Sequence, residues 1–267
     1  MKSIANVGLQ EVQAVYDGVE GDLWELFMGQ QIHIGGMTSS MDLASRAGIG
    51  AGMRGVDLCC CNGAGMRVLV RFCNVDSMTG VDATETVVER GRQRCKAEGL
   101  DAKIRFVLGD VCDSKLPEAS ADFVWGEDAW CYVTDKPRLI AEAVRVVKPG
   151  GAIAFTDWVE GPAGLSTAEA DRFLGFMKFA TVEDIPGYAR LLEKSGCTVV
   201  SADDTQRFAP YVDLYMSMVN MQLTYDALRI IGFDTDVMNA VAGEFAFLQQ
   251  MAHEGKIAQG RFVARRN

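Results

Sequence analysis

The stretch VDLCCCNGAG, Val56 to Gly65, decides how this chain is read. An apolar run ends in a turn closed by Gly63 and Gly65, and helical spacing follows in GMRVLVRFC at 65–73. A strand, a glycine turn and a helix in that order form a cradle for a nucleotide-like cofactor, because glycine permits positive φ and lets the ligand approach the backbone. Here three cysteines fill the turn. They admit three readings: a thiol-lined cofactor loop, a metal site, or a decayed motif.

The metal reading is the weakest. The eight cysteines stand at 59, 60, 61, 73, 95, 112, 131 and 197, and no pair has C-x-x-C spacing. Adjacent strand residues face opposite sides, so Cys60 cannot readily join Cys59 and Cys61 on one ion. Histidine occurs only at 33 and 253. No metal is expected, and Cys60 reads as a small buried residue. The net charge of −10 argues against a nucleic-acid partner and disfavours an anionic membrane surface. No apolar run approaches the roughly 20 residues of a membrane helix. The N-terminal segment has no apolar signal region. A cytoplasmic location with free thiols is expected.

Further along, strand patterns at 53–59, 77–82, 103–110, 121–128 and 152–158 alternate with helical patterns at 65–73, 84–100 and 135–151. Pro137 suits the first turn of the last helix, and the Pro-Gly-Gly at 149–151 predicts its stop. Such alternation means βαβ units and a doubly wound, mostly parallel α/β sheet. Ligands of these sheets bind at the carboxyl ends of the strands. Asp82 ends the second strand about 20 residues beyond the turn, where a carboxylate can accept both hydroxyls of a ribose. Asp110 ends the third and could take the amine of an adenine. Either aspartate alone could instead cap a helix. Together, after a glycine turn, they favour an adenosyl ligand.

The pieces VDLCCCNGAG, GVDAT, LGDV, DFVWGEDAW and VRVVKPGGAIAFTDW resemble those of class I S-adenosylmethionine-dependent methyltransferases over roughly residues 50–160. WELFMGQQIHIGG, DAWCYVTDK, YARLLEKSGCTVV and EGKIAQGRFVARR are similar to segments of the sarcosine/dimethylglycine N-methyltransferases and their phosphoethanolamine relatives. The resemblance implies a Rossmann-like α/β fold: a seven-stranded, mostly parallel sheet with the last strand antiparallel, plus a helical cap. It implies one domain, 1–267, with lid helices at 1–50, the cofactor core at 51–160, and cap helices with the last two strands at 161–267. The cofactor is then S-adenosyl-L-methionine. Its expected contacts are Asp57, Cys59, Cys61, Gly63, Asp82, Ala83, Asp110, Val111 and Glu127.

Two departures stand out. The family motif D-x-G-x-G-x-G keeps only Gly63, with Cys59 and Cys61 at its first two glycines. If those cysteines hold negative φ, their thiols add only modest bulk. Tyr132 stands where the subfamily more often has histidine, so it is expected to orient a substrate. Tyr132 and His33, in IHIGG, are the catalytic candidates. Tyr16, Trp24, Trp130, Trp158 and Tyr215 are candidate substrate contacts, although aromatic residues more often pack a core. The resemblance implies methyl transfer to a small-molecule acceptor, by preference an amine nitrogen like that of sarcosine or dimethylglycine. The alternatives are oxygen or carbon methylation of a secondary metabolite, and a binding or scaffold protein that has lost catalysis. A homodimer is allowed.

Overall fold

The computed structural model describes residues 1–5 and 7–267. Its strands are β1 (Lys2–Ser3), β2 (Arg54–Leu58), β3 (Ser77–Asp82), β4 (Ile104–Leu108), β5 (Ala121–Glu127), β6 (Val147–Glu160), β7 (Thr181–Val182), β8 (Cys197–Asp204) and β9 (Ile257–Arg266). The helices are α1 (Leu9–Asp17), α2 (Val19–Met28), α3 (Gly36–Ala47), α4 (Ala64–Phe72), α5 (Glu85–Ala97) and α6 (Lys136–Val146). After these come α7 (Thr167–Met177), α8 (Ile185–Lys194), α9 (Phe208–Met221), α10 (Thr224–Ile230) and α11 (Thr235–His253).

Seven strands form one sheet in the order β4-β3-β2-β5-β6-β9-β8. β2 runs parallel to both β3 and β5, and β9 runs antiparallel to β6 and β8. This is the Rossmann-like architecture expected from the sequence. The antiparallel last strand lies inside the sheet, and β8 forms the edge. Strand order reverses at β2, which has β3 on one side and β5 on the other. A crevice therefore opens at their carboxyl ends, where the CCC turn stands.

The strands alternate as two-faced strands should. Ile153, Phe155 and Val159 of β6 join Leu139 and Ile140 of α6 and Tyr188 of α8 on one face. Ala152 and Ala154 face Leu43 of α3, with Met66 and Leu69 of α4, on the other. Helix α6 starts at an Asp135 cap, whose carboxylate accepts the Arg138 N–H at 3.0 Å, with Pro137 in the first turn. It ends at Val146, short of the 135–151 expected. Val147 already pairs with Ala121, so the Lys-Pro-Gly-Gly segment belongs to β6. Proline lacks the N–H and clashes with the preceding turn, which makes that exit obligatory.

Beyond the core, α7, α9 and α11 pack a second apolar layer against Ile34, Trp158 and Phe179. Helices α2 and α10 extend it through Leu23, Phe27 and Ala227. This layer stands over the carboxyl edge of the sheet and so faces the crevice. No helix among the described residues is long and apolar enough to cross a membrane.

Candidate active site

Two adjoining cavities occupy the crevice. The larger, about 270 Å³, is lined by Cys59, Cys61, Asp82, Ala83, Asp110, Val111 and Tyr132, with Leu9, Val12 and Tyr16 of α1 as its outer wall. The smaller, about 50 Å³, lies among His33, Asp57, Gly65, Glu127 and Asp128. Tyr16, Cys59, Cys61 and Ala129 line both. A wider open groove of about 660 Å³ sits at the opposite strand ends, around Arg54, Ser77 and Arg105, away from all of these groups.

The CCC turn departs from one expectation. Cys59 and Cys61 hold positive φ, 68° and 48°, as does Gly63 at 72°. The backbone thus takes the left-handed path at all three motif positions, although two carry a side chain. The neighbours dictate this. The Cys59 and Cys60 N–H groups both bond the Val81 carbonyl, at 2.9 and 3.2 Å, and the Cys61 N–H bonds Asp82 Oδ2 at 2.8 Å. Cys60 between them is buried. Its Sγ sits where a Cβ on Gly80 would stand, 2.5 Å away, which makes Gly80 the partner of the buried thiol.

Asp82 has a second task. Its Oδ1 accepts the Thr84 N–H at 2.9 Å, tying the turn to the start of α5. Burial raises its pKa, against the pull of these backbone bonds. Asp110 likewise accepts the Cys112 N–H at 2.8 Å. Asp57 differs: it is 4% exposed, lines the smaller cavity, and no donor among the described residues bonds its carboxylate. Burial, then Glu127 and Asp82, push its pKa well up. The thiols are held protonated as well. Burial pushes Cys61 up to about 12, with Asp82 adding to the effect, and Cys112 up to about 11. No group of three potential metal ligands occurs among the described residues.

His33 is fixed by a polar web. Ser40 Oγ donates to Glu127 at 2.6 Å, Gln31 Nε2 donates to Ser40 Oγ at 2.8 Å, and His33 Nε2 lies 3.3 Å from Glu127 Oε1. One residue on, the Ile34 N–H bonds Asp128 at 2.8 Å. Gln259 of β9, fully buried, donates to the Ile34 carbonyl at 3.0 Å and to Asp128 at 2.9 Å. Sequence reasoning missed Asp128 and Gln259. A glutamine in an apolar strand facing an acid across the sheet leaves no local signal.

Tyr132 lies in a short 3-10 turn, Trp130–Tyr132. The Tyr16 hydroxyl donates to its hydroxyl at 3.2 Å, and Phe179 meets its ring edge-on at 4.8 Å. Burial raises both tyrosine pKa values, so both hydroxyls stay protonated at neutral pH. A buried frame supports the turn: Asp157 accepts the Cys131 N–H at 3.0 Å and the Tyr188 hydroxyl at 2.5 Å. Beside it, Lys136 Nζ donates to the Val133 and Thr181 carbonyls at 3.2 Å.

The remaining aromatic candidates separate. Trp130 packs in the core, where it is fully buried, stacks on Phe155 at 4.0 Å and bonds the Leu58 carbonyl, and it lines neither cavity. Trp24 packs on Phe176 and Phe245 beneath the cap, outside both cavities. Trp158 and Tyr215 share the apolar layer with Phe179 and Phe208, beyond Tyr132.

The profile of the methyltransferase domain matches residues 56–155. The chain is 31% identical over 169 residues to 27-O-demethylrifamycin SV methyltransferase of Amycolatopsis mediterranei, a match covering 62% of this chain and 61% of that protein. The chain spans less than two thirds of the length of this and other curated relatives. In fold it is similar to a Galdieria sulphuraria protein inferred to be a sarcosine dimethylglycine methyltransferase, with TM-score 0.81, 20% identity, and 93% and 98% of the two chains covered. It is also similar to Haemonchus contortus phosphoethanolamine N-methyltransferase 2 in complex with phosphomonomethylethanolamine and S-adenosylhomocysteine. There the TM-score is 0.84 at 18% identity, covering 95% of this chain and 58% of that one.

Proposed function

We propose that the chain binds S-adenosylmethionine in the paired cavities and transfers its methyl group to a small-molecule acceptor, preferably an amine nitrogen. The observation that carries this reading is the unpartnered Asp57 carboxylate in the smaller cavity, next to a larger cavity walled by Asp82, Asp110 and apolar side chains. A buried carboxylate without a donor is costly, and a cationic ligand removes the cost. The donor set fits the cofactor. Asp57 and Glu127 suit the aminoacyl end, Asp82 has lone pairs left for a ribose, and Val87, Val111 and Leu9 suit an adenine face.

When bound, the cofactor supplies an activated methyl group on a sulfonium. The chain's own residues supply position and dryness. Helix α1 covers the larger cavity through Leu9, Val12 and Tyr16 and keeps water out. Tyr132, held by Tyr16 and the Asp157 frame, presents a hydroxyl and a ring face at the boundary with the apolar layer. His33 stands on the side of Asp57 and Glu127, and its supported role is to orient Glu127.

Calorimetry with S-adenosylhomocysteine tests the reading. Binding that is weakened in both Asp82→Ala and Asp57→Asn is expected. No binding to the intact chain would favour the scaffold alternative.

A further inference from the structure

We infer that the groove at the opposite end of the sheet is a second ligand site, one that takes a small anion carrying two or more phosphate groups. The inference goes beyond the methyltransferase reading and does not depend on it.

The groove encloses about 660 Å³, the scale of a small-molecule site. It lies at the amino ends of β2, β3 and β4. Alternate residues of a strand share a face. Val56 and Leu58 of β2, Val81 of β3 and Val107 of β4 face the same core as α6. Arg54, Ser77, Thr79 and Arg105 stand on that face too, nearer the strand starts. Register sets them in two rows. Arg54 pairs with Ser77, and Lys103 lies on the other side of Ser77, where its carbonyl accepts the Met78 N–H at 2.9 Å. In the next row Thr79 lies between Val56 and Arg105. Parallel sheets are ordinarily covered on both faces. Helix α5 covers the other face, where Val88 and Cys95 meet Phe106. On this face the connection from β4 to β5 contains no helix and supplies only a rim at Leu116 and Pro117.

The charge of the groove runs against that of the chain. The net charge is −10, yet Arg54, Arg92, Lys103 and Arg105 line the groove against a single acid, Asp101. Arg92 has Glu89 at 3.6 Å and donates to the Phe106 carbonyl at 3.3 Å. Arg54, Lys103 and Arg105 have no ion pair among the described residues. Asp122 accepts the Arg54 backbone N–H at 2.7 Å but is paired with Lys148, and Glu118 is paired with Arg266. Like charges on neighbouring strands repel, and an anion seated among them removes that cost. Guanidinium forks and hydroxyls suit phosphate oxygens. The margin selects a compact ligand. Asp76, Glu118 and Asp122 stand next in sequence to the groove residues Ser77, Pro117 and Ala121, so an extended acidic peptide or nucleic-acid strand meets repulsion that a small anion escapes. The groove is also separate from the cofactor crevice. Arg54 and Cys59 stand at opposite ends of β2, roughly 16 Å apart.

The test is calorimetry of the full chain with inorganic pyrophosphate at low salt. Inorganic phosphate, a hexaglutamate peptide and a single-stranded oligonucleotide are titrated in parallel, and circular dichroism checks that each variant is folded. One pyrophosphate per chain is expected, with phosphate at least tenfold weaker and both polymers weaker than pyrophosphate. Arg54→Gln, Lys103→Gln and Arg105→Gln should each raise the pyrophosphate Kd at least fivefold. Arg138→Gln, which alters the exposed cation lining the larger cofactor cavity, should leave it unchanged. Absent or unsaturable pyrophosphate binding overturns the inference. So does an affinity indifferent to the three groove variants, or one lost in Arg138→Gln, which places the anion in the crevice. Tighter binding of the peptide or the oligonucleotide assigns the groove to a macromolecule and overturns it as well. S-adenosylhomocysteine titrated into the same chain reports on the methyltransferase reading separately.

Discussion

Replacing the turn cysteines one at a time should divide them into two kinds. Cys59 and Cys61 hold φ of 68° and 48°, where an L-residue is strained by roughly 1–2 kcal/mol and glycine is not. Glycine brings back about 0.5–1 kcal/mol of unfolded-state entropy at each site. It also removes a half-buried CH₂–SH worth about 1 kcal/mol. These terms nearly cancel, so Cys59→Gly and Cys61→Gly should each change stability by less than about 1 kcal/mol. Cys60 has no left-handed strain to release. It is 6% exposed and fills the space over Gly80. Cys60→Gly should cost about 2–3 kcal/mol from the cavity and the added entropy. For a chain of this size that lowers Tm by roughly 5–10 °C. Urea unfolding followed by far-UV circular dichroism reads the three variants side by side. Equal losses in all three would refute the strain argument, as would a Cys59→Gly/Cys61→Gly double variant that no longer binds S-adenosylhomocysteine.

Asp82→Ala should weaken S-adenosylmethionine binding by about 2–3 kcal/mol, a 30- to 150-fold rise in Kd by calorimetry, since it removes both a ligand acceptor and the anchor of the Cys61 N–H. Asp157 is buried, and burial raises its pKa to about 6. A raised carboxyl pKa contributes stability below the unfolded value near 4 that is lost as pH rises through 6, about 2–3 kcal/mol in all. Asp157→Asn, which can still accept from Cys131 and meet Tyr188, should flatten that slope in urea titrations between pH 4 and 7. Gln259→Glu sets a second carboxyl against Asp128. The pair must share a proton, so turnover should survive near pH 5 and fall as pH rises, whereas Gln259→Leu should lower it at every pH.

The sheet was legible because its signals are local. Strands β2 to β6 read from short apolar runs, α6 from Asp135 and Pro137, and the crevice from the order of Gly63, Asp82 and Asp110. The left-handed cysteines were not legible. Residue type argues against positive φ, and only the Val81 carbonyl and Asp82 carboxylate, brought in by an adjacent strand, impose it. Trp130 looked like a substrate contact because it follows a strand end, yet its turn folds back and stacks it on Phe155. The web around His33 joins positions 33, 128 and 259, and no periodicity carries information over such separations.

That web bears on the order of assembly. Strand β9 must slide between β6 and an edge strand made earlier in the chain, and only then does Gln259 reach the Ile34 carbonyl. The strands that frame the crevice, β2 to β5, do not depend on β9 for their pairing, whereas the histidine segment stays unfastened until β9 is in place.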